Sequence, residues 1–128
     1  MNVSMFFYVA AGGAIGAVGR FSVDRLAVSL FGHGFPYSTL IVNIAGSFVL
    51  GALIPAMALV WSPSLEIRAM IVIGVLGAFT TFSAFSLDTV TLMTRGETAY
   101  AMIYVAVSII FSIAALWVGM TVTQAAIS

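Results

Sequence analysis

Hydrophobic residues fill four long segments of the chain, and short polar stretches separate them. The apolar segments run over about residues 3–30, 37–60, 67–93 and 98–123. Each is at least as long as the roughly 20 residues that an α-helix needs to cross a bilayer. The three connections contain helix breakers, as expected between helices: residues 32–36 read GHGFP, residues 61–64 read WSPS and residues 94–97 read TRGE. The pattern predicts an all-α integral membrane protein in which residues 1–128 form one four-helix domain.

Composition supports the assignment to the membrane and excludes other classes. Hydrophobic residues make up 62% of the chain and charged residues 6%. A soluble domain of this size has too little interior to hide so much apolar surface. Arginine is balanced by acidic residues and lysine is absent, so no basic patch for nucleic acid is expected. Cysteine is absent, which excludes disulfides and thiolate metal sites.

The distribution of arginine gives the chain little preference for one orientation. The side that holds the first and third connections carries Arg25 and Arg95, with Arg20 just inside, and the other side carries Arg68. Arginine bias normally decides how a helical protein faces. So small a difference predicts insertion in both orientations, with two opposite copies pairing about an axis in the membrane plane.

The third apolar segment contains a stretch, residues 74–88, that is unusual for a membrane helix. Gly74 and Gly77 lead into the pair Thr80 and Thr81. Glycine and threonine are weak helix formers. A break in hydrocarbon is tolerated only where the freed backbone groups are buried in protein or line a polar cavity. We therefore expect a broken third helix near the membrane middle and a functional site at the break.

Phe82 and Phe85 follow the threonines and alternate with serines. The edge of an aromatic ring is electropositive, so the pair would be able to face an anion. Ordinary packing of two aromatic residues at helical spacing is the alternative.

The second and fourth segments carry polar side chains at intervals of four, which places each set on one helix face. The sets are Thr39, Asn43 and Ser47, and Tyr104, Ser108 and Ser112. Asn43 needs a partner in hydrocarbon, either another helix or a permeating anion. The hydroxyl stripe is either a helix contact or a solvated track.

The first segment contains a GxxxG motif, Gly12 and Gly16, which favours close helix packing. Arg20 and Asp24 follow at a spacing of four. They are expected to form an ion pair at the membrane interface. Alternatively, Arg20 lies at a vestibule and attracts anions.

The chain lacks the residues that an enzyme would need. It has no Walker, GxSxG or HExxH motif, and its one histidine, His33, lies in a glycine-rich connection. Asp88 is the only carboxylate inside a span, and its role is open. No nucleophile or acid–base pair can be assembled, so the chain is not expected to be an enzyme. An interior of hydroxyls, one carboxamide and aromatic rings suits a small anion.

Three stretches resemble the Fluc (CrcB) family of bacterial fluoride channels. Residues 77–86, GAFTTFSAFS, are similar to its Gly-x-x-Thr-Thr-Phe-Ser-x-Phe signature. Residues 42–48, VNIAGSF, resemble its second-span asparagine motif, and residues 12–21, GGAIGAVGRF, resemble its glycine-rich first span ending in arginine. The resemblance covers essentially the whole chain.

The resemblance implies an antiparallel, dual-topology homodimer with two fluoride pores in the bacterial inner membrane. Fluoride would leave the cytoplasm passively, which confers resistance. The implied ion path consists of Asn43, Phe82, Phe85, Tyr104, Ser108 and Ser112, with Arg20 at a vestibule. The backbone carbonyls of Gly77 and Thr80 from both subunits would hold a central structural sodium ion, Na⁺.

Two other classes remain as alternatives. A small dual-topology multidrug transporter subunit is also a four-span antiparallel dimer, but it needs a carboxylate in the middle of its first span, and residues 10–19 contain none. A non-transporting assembly subunit would pack through its glycine faces and use Asn43 and the hydroxyls only as contacts between helices.

Overall fold

The structure, a computed structural model that describes residues 2–128, is helical almost throughout. Its elements are α1 (Val3–Phe31), α2 (Tyr37–Leu59), α3 (Leu65–Ala69), a π-helical segment (Met70–Leu76), α4 (Gly77–Phe79), α5 (Phe82–Thr94) and α6 (Thr98–Ile127). Four helical stretches are long and apolar enough to cross a membrane, and the third is the composite stretch Leu65–Thr94. The prediction of an all-α chain with four spans is confirmed at this level.

Local sequence signals explain where these helices begin and end. The side chains of Asn2 and Ser64 accept hydrogen bonds from backbone N–H groups in the first turns of α1 and α3. Gly32 and Gly96 have φ angles of 77° and 79° just after α1 and α5. Only glycine adopts this conformation readily, so these two positions end their helices.

Glycines allow the helices to approach each other closely. Helix α2 packs along α6, where Gly51 and Gly119 lie against the backbone of the opposite helix. Helix α1 packs against the π-helical segment, where Gly12 and Gly16 lie against the Met70 and Val75 carbonyls. The glycine motif of the first span therefore serves helix packing.

The first and third connections meet at one end of the bundle. Arg95 Nη2 donates a hydrogen bond of 2.9 Å to the Gly34 carbonyl. Many large apolar side chains face outward from the four spans. Such a surface requires lipid or protein around it.

Candidate functional site

The third helix breaks at Thr80 and Thr81. Both residues are extended, with ψ angles of 161° and 123°, and α5 starts at Phe82. Thr81 caps the new helix, since its hydroxyl accepts a hydrogen bond of 3.1 Å from the Ala84 N–H. Gly77, which the sequence led us to include in the unwound part, keeps helical angles. The threonine pair, with its capping hydroxyl, forms the break, whereas Gly74 in the preceding turn lies against the α1 backbone.

Asn43 satisfies backbone groups that the break leaves free. Its Nδ2 donates to the Thr81 carbonyl at 3.0 Å, and its Oδ1 accepts from the Thr81 N–H at 2.8 Å. Unpaired backbone groups at such a break are costly, so this bidentate contact stabilises it. The second N–H of the carboxamide has no partner among the described residues. Asn43 therefore bridges two helices and still offers one donor.

Arg20 contacts the break from α1. Its Nε donates to the Ala78 carbonyl at 3.1 Å. Arg20 and Asp24 form no ion pair, since the described part of the chain contains one such pair, between Arg95 and Glu97. Arg20 lines a cavity of about 260 Å³ that also reaches Thr81 and Asp88. We call it the arginine cavity.

A second cavity, the groove, has a volume of about 340 Å³ and runs along the break. It is lined by Asn43, Ser47, Thr80, Thr81, Phe82, Phe85, Ser108, Ile109, Ser112 and Ile113. Five of the six residues expected along an ion path line this one concave surface, and they are Asn43, Phe82, Phe85, Ser108 and Ser112. No carboxylate lines it.

The two phenylalanines of the groove lie in different environments. Their ring centroids are 5.5 Å apart and tilted by 49°. Phe82 is 78% exposed in the single chain. Phe85 is partly buried and its centroid lies 5.3 Å from that of Tyr104. Packing within the chain therefore accounts for Phe85 but not for Phe82.

Tyr104, the remaining predicted path residue, lies behind the groove. It is fully buried, and its hydroxyl donates to Asp88 Oδ2 at 3.0 Å. The Thr39 hydroxyl donates to the same oxygen at 2.7 Å. Sequence reasoning did not find this network, which joins α2, α5 and α6. The available signal was the carboxylate of Asp88 within the third span, because such a group requires partners.

Ser108 is the one buried polar side chain of the described residues whose hydroxyl lacks a hydrogen-bond partner. It is 6% exposed and lines the groove. Buried polar groups are nearly always paired in proteins. The Ser108 hydroxyl is therefore available to a ligand in the groove.

The structure also shows which groups are able to hold a cation. The described residues contain no cluster of histidine and acidic side chains suited to a metal. Within the same part of the chain, the Gly77 and Thr80 carbonyls accept no hydrogen bond. Free carbonyls at a broken membrane helix are suitable ligands for Na⁺.

Comparisons with known proteins agree with this architecture. The family model described as "CrcB-like protein, Camphor Resistance (CrcB)" matches residues 7–120. A Rhizobium etli protein named "Fluoride-specific ion channel FluC" is 46% identical over 119 residues, which cover 93% of this chain and 95% of the relative. A Rhodospirillum centenum protein of that name is 41% identical over 126 residues, covering 98% and 100%.

A Vibrio cholerae protein, also named "Fluoride-specific ion channel FluC", is 43% identical over 119 residues, covering 93% of this chain and 94% of the relative. The names of these relatives describe ion channels, a non-enzyme class. The matches extend over all four spans and include the broken third helix. With a family model and relatives that both cover nearly its whole length, the chain belongs to the CrcB-like family.

Proposed function

We propose that this protein is a fluoride-selective ion channel that lets fluoride leave the cytoplasm passively. The observation that carries the proposal is the groove, where a buried, unpaired Ser108 hydroxyl accompanies Asn43, Ser112 and the two phenylalanines. The relatives named as fluoride-specific ion channels support the same ion. Passive exit of fluoride would protect the cell that carries the protein.

The chemistry of the groove suits a small anion. Fluoride binds water strongly, so a dry path must replace that water with hydrogen-bond donors. The second Asn43 N–H and the hydroxyls of Ser108 and Ser112 are such donors. The electropositive ring edges of Phe82 and Phe85 add weaker stabilisation. A carboxylate in the groove would repel the ion, and none lines it.

The proposed role of Tyr104 differs from that of the residues that line the groove. Because its hydroxyl hydrogen is directed to Asp88, Tyr104 acts on the path mainly through its contact with Phe85. Its expected direct contribution to the polar track stays a prediction. Arg20 lines the arginine cavity beside the break together with Asp24 and Asp88, and its positive charge would offset these carboxylates and favour an anion at a vestibule.

The channel is proposed to be an antiparallel homodimer in the bacterial inner membrane. The exposure of Phe82 in a single chain supports this, since a second copy would cover the open side of the groove. Each copy contributes one groove, so the dimer would contain two pores. The weak arginine bias supports insertion in both orientations.

A structural Na⁺ at the dimer interface forms the last part of the proposal. The free carbonyls of Gly77 and Thr80 are the groups that would hold it, and a second copy would supply the same pair. A bound cation would make the surrounding interior more favourable for anions.

The alternatives explain fewer of these observations. A proton-coupled multidrug transporter needs a carboxylate in the middle of the first span, and α1 has none between residues 10 and 19. A non-transporting assembly subunit does not explain an unpaired hydroxyl in a groove.

Fluoride accumulation in cells tests the proposal. A bacterium without its own fluoride exporters is given either this protein or its Ser108→Ala variant, and intracellular fluoride is measured at a fixed external concentration. We expect the wild-type protein to lower intracellular fluoride and the variant to lower it less. Equal accumulation with and without the wild-type protein, at confirmed membrane expression, would contradict the proposal.

A further inference from the structure

We infer that Arg20 is a positioning residue that holds the broken third helix in place from α1. Its effect on fluoride flux rests on the proposed function, whereas its effect on the backbone does not. The proposed attraction of anions at a vestibule depends on the positive charge of the whole guanidinium group. The inference concerns its Nε–H, which donates to the Ala78 carbonyl.

The Ala78 carbonyl needs this donor because of where the helix ends. In an uninterrupted helix, this carbonyl would accept from the N–H of Phe82, four residues later. Phe82 instead begins α5, beyond the extended residues Thr80 and Thr81. Arg20 Nε supplies the missing hydrogen bond at 3.1 Å in a partly buried position. A positive charge at the carbonyl end of a helix is also electrostatically favourable.

The glycine motif of α1 places Arg20 where it can act. Gly12, Gly16 and Arg20 are spaced by four and so lie on one face of α1. Gly16 lies against the Val75 carbonyl and the Phe79 backbone nitrogen, with no room for a side chain. One turn later, Arg20 reaches the last turn before the break. Because the glycines let α1 pack closely against the third span, the guanidinium of Arg20 reaches the Ala78 carbonyl.

Two neighbouring helices consequently hold the break from both sides. Arg20 of α1 bonds the backbone before Thr80, and Asn43 of α2 bonds the backbone of Thr81 after it. Thr80 and Thr81 both line the groove. Loss of either contact would loosen the groove wall at Thr80 and Thr81.

Substitution with lysine separates positioning from charge. Arg20→Lys keeps the positive charge but places a methylene group where arginine has its Nε–H. If Arg20 acts only through its charge, Arg20→Lys behaves like the wild-type protein and Arg20→Gln does not. If it positions the break, both variants are defective. Arg25→Lys is the matched control, since Arg25 is exposed, bonds no backbone carbonyl of residues 2–128 and has its Cζ 6.0 Å from the centroid of the Phe21 ring.

Hydrogen–deuterium exchange of residues 76–86, in detergent and without fluoride, tests the inference. We expect exchange in this segment to accelerate by about tenfold in Arg20→Lys and Arg20→Gln, as loss of a hydrogen bond to a charged group predicts. The Arg25→Lys control should match the wild-type protein. Wild-type protection in Arg20→Lys would overturn the inference.

A measurement on the wild-type protein does not depend on how the variants fold. With nitrogen-15 arginine, the protein has four Nε–H groups to observe. We expect one of them, absent in Arg20→Lys, to exchange with water much more slowly than the Nε–H of Arg25. Equally fast exchange would overturn the inference.

Flux measurements then separate this inference from the proposed function. In liposomes, Arg20→Lys should reduce the fluoride flux and the ratio of fluoride to chloride flux, although the charge is kept. An unchanged flux and ratio would show that the contact does not position the groove. If wild-type liposomes pass no fluoride, the proposed function fails and the exchange results still decide the role of Arg20.

Discussion

Ser108 is the residue whose proposed role in fluoride passage is most easily tested without a change in stability. Its hydroxyl is buried, faces the groove and bonds to no described residue, so it contributes little to the stability of the single chain. Fluoride would use it as a donor. A residue with this combination allows flux to be altered without damage to the fold.

We therefore predict that Ser108→Ala lowers the fluoride flux by about tenfold, the order expected for one lost hydrogen bond. The thermal unfolding temperature in detergent should stay the same or rise slightly, because removal of an unpaired buried hydroxyl removes a desolvation cost. Ser22→Ala is the matched control, since this exposed hydroxyl bonds only to its own helix. Unchanged flux in Ser108→Ala would show that the hydroxyl does not face the ion.

The aromatic pair provides a second test at the scale of single residues. Phe82→Ile and Phe85→Ile should each reduce the fluoride flux by tenfold or more, because isoleucine lacks the electropositive ring edge. Assembly, followed by size-exclusion chromatography, should change much less than the flux in both variants, because isoleucine keeps most of the apolar surface of phenylalanine. Phe85→Ile should also lower the unfolding temperature, since it loses the contact with Tyr104. Phe111→Ile, an exposed residue outside the groove, is the control. Parallel losses of flux and assembly would assign the pair to packing.

At the scale of helices, sequence periodicity was enough for the four spans but not for the details of the break. The weak helix formers at 74–81 indicated that the third helix is interrupted. They did not show that Gly74 serves packing against α1 while Thr80 and Thr81 form the break. The difference depends on which helix lies alongside, and spacing within one segment does not contain that information.

The long-range contacts of the site could not be predicted from the sequence for the same reason. The residue pattern identified Asn43, Ser108 and Ser112 as a polar set, and the groove brings them together. The contacts of Arg20 with Ala78 and of Asp88 with Thr39 and Tyr104 join distant parts of the chain. Arg20 was expected to pair with Asp24, but a backbone carbonyl is its partner. Such contacts follow from helix packing, which a single sequence does not specify.

Glycine packing between α1 and the third span yields a prediction with a control one turn away. A Cβ atom on Gly16 would collide with the Val75 carbonyl, whereas one on Gly13 would meet no atom within 4 Å. Gly16→Ala should therefore cost about 1–3 kcal/mol of stability through overpacking. Gly13→Ala should be neutral or stabilising by up to about 1 kcal/mol, because alanine favours helix. Thermal unfolding in detergent measures both. Equal losses in the two variants would contradict this packing.

At the scale of the whole molecule, the proposed antiparallel dimer depends on a nearly balanced charge distribution. Ser62 lies exposed in the second connection, opposite the side that carries Arg25 and Arg95. Ser62→Arg would leave two arginines on each side, or three against two if Arg20 is counted, so arginines added on the opposite side change the balance more strongly.

We predict that two arginines added on the side that already carries Arg25 and Arg95, at the exposed His33 and Thr94, fix one orientation and reduce the fluoride flux from cells, because that side would then carry at least four arginines against one. Co-expression of a copy fixed in the opposite orientation should restore the flux. The matched His33→Gln and Thr94→Gln variant should behave like the wild-type protein. Full activity of the arginine variant alone, with its single orientation shown by labelling of the termini, would contradict the antiparallel dimer.

Voltage-driven fluoride efflux from liposomes that contain only the purified protein tests the central claim most directly. A potassium gradient with valinomycin sets the voltage, and a fluoride electrode records the ion that leaves, with no proton gradient present. We predict rapid fluoride efflux, far slower chloride efflux under the same voltage, and a strongly reduced fluoride signal for Ser108→Ala. No fluoride efflux from the wild-type protein, or equal passage of fluoride and chloride, would contradict a fluoride-selective channel.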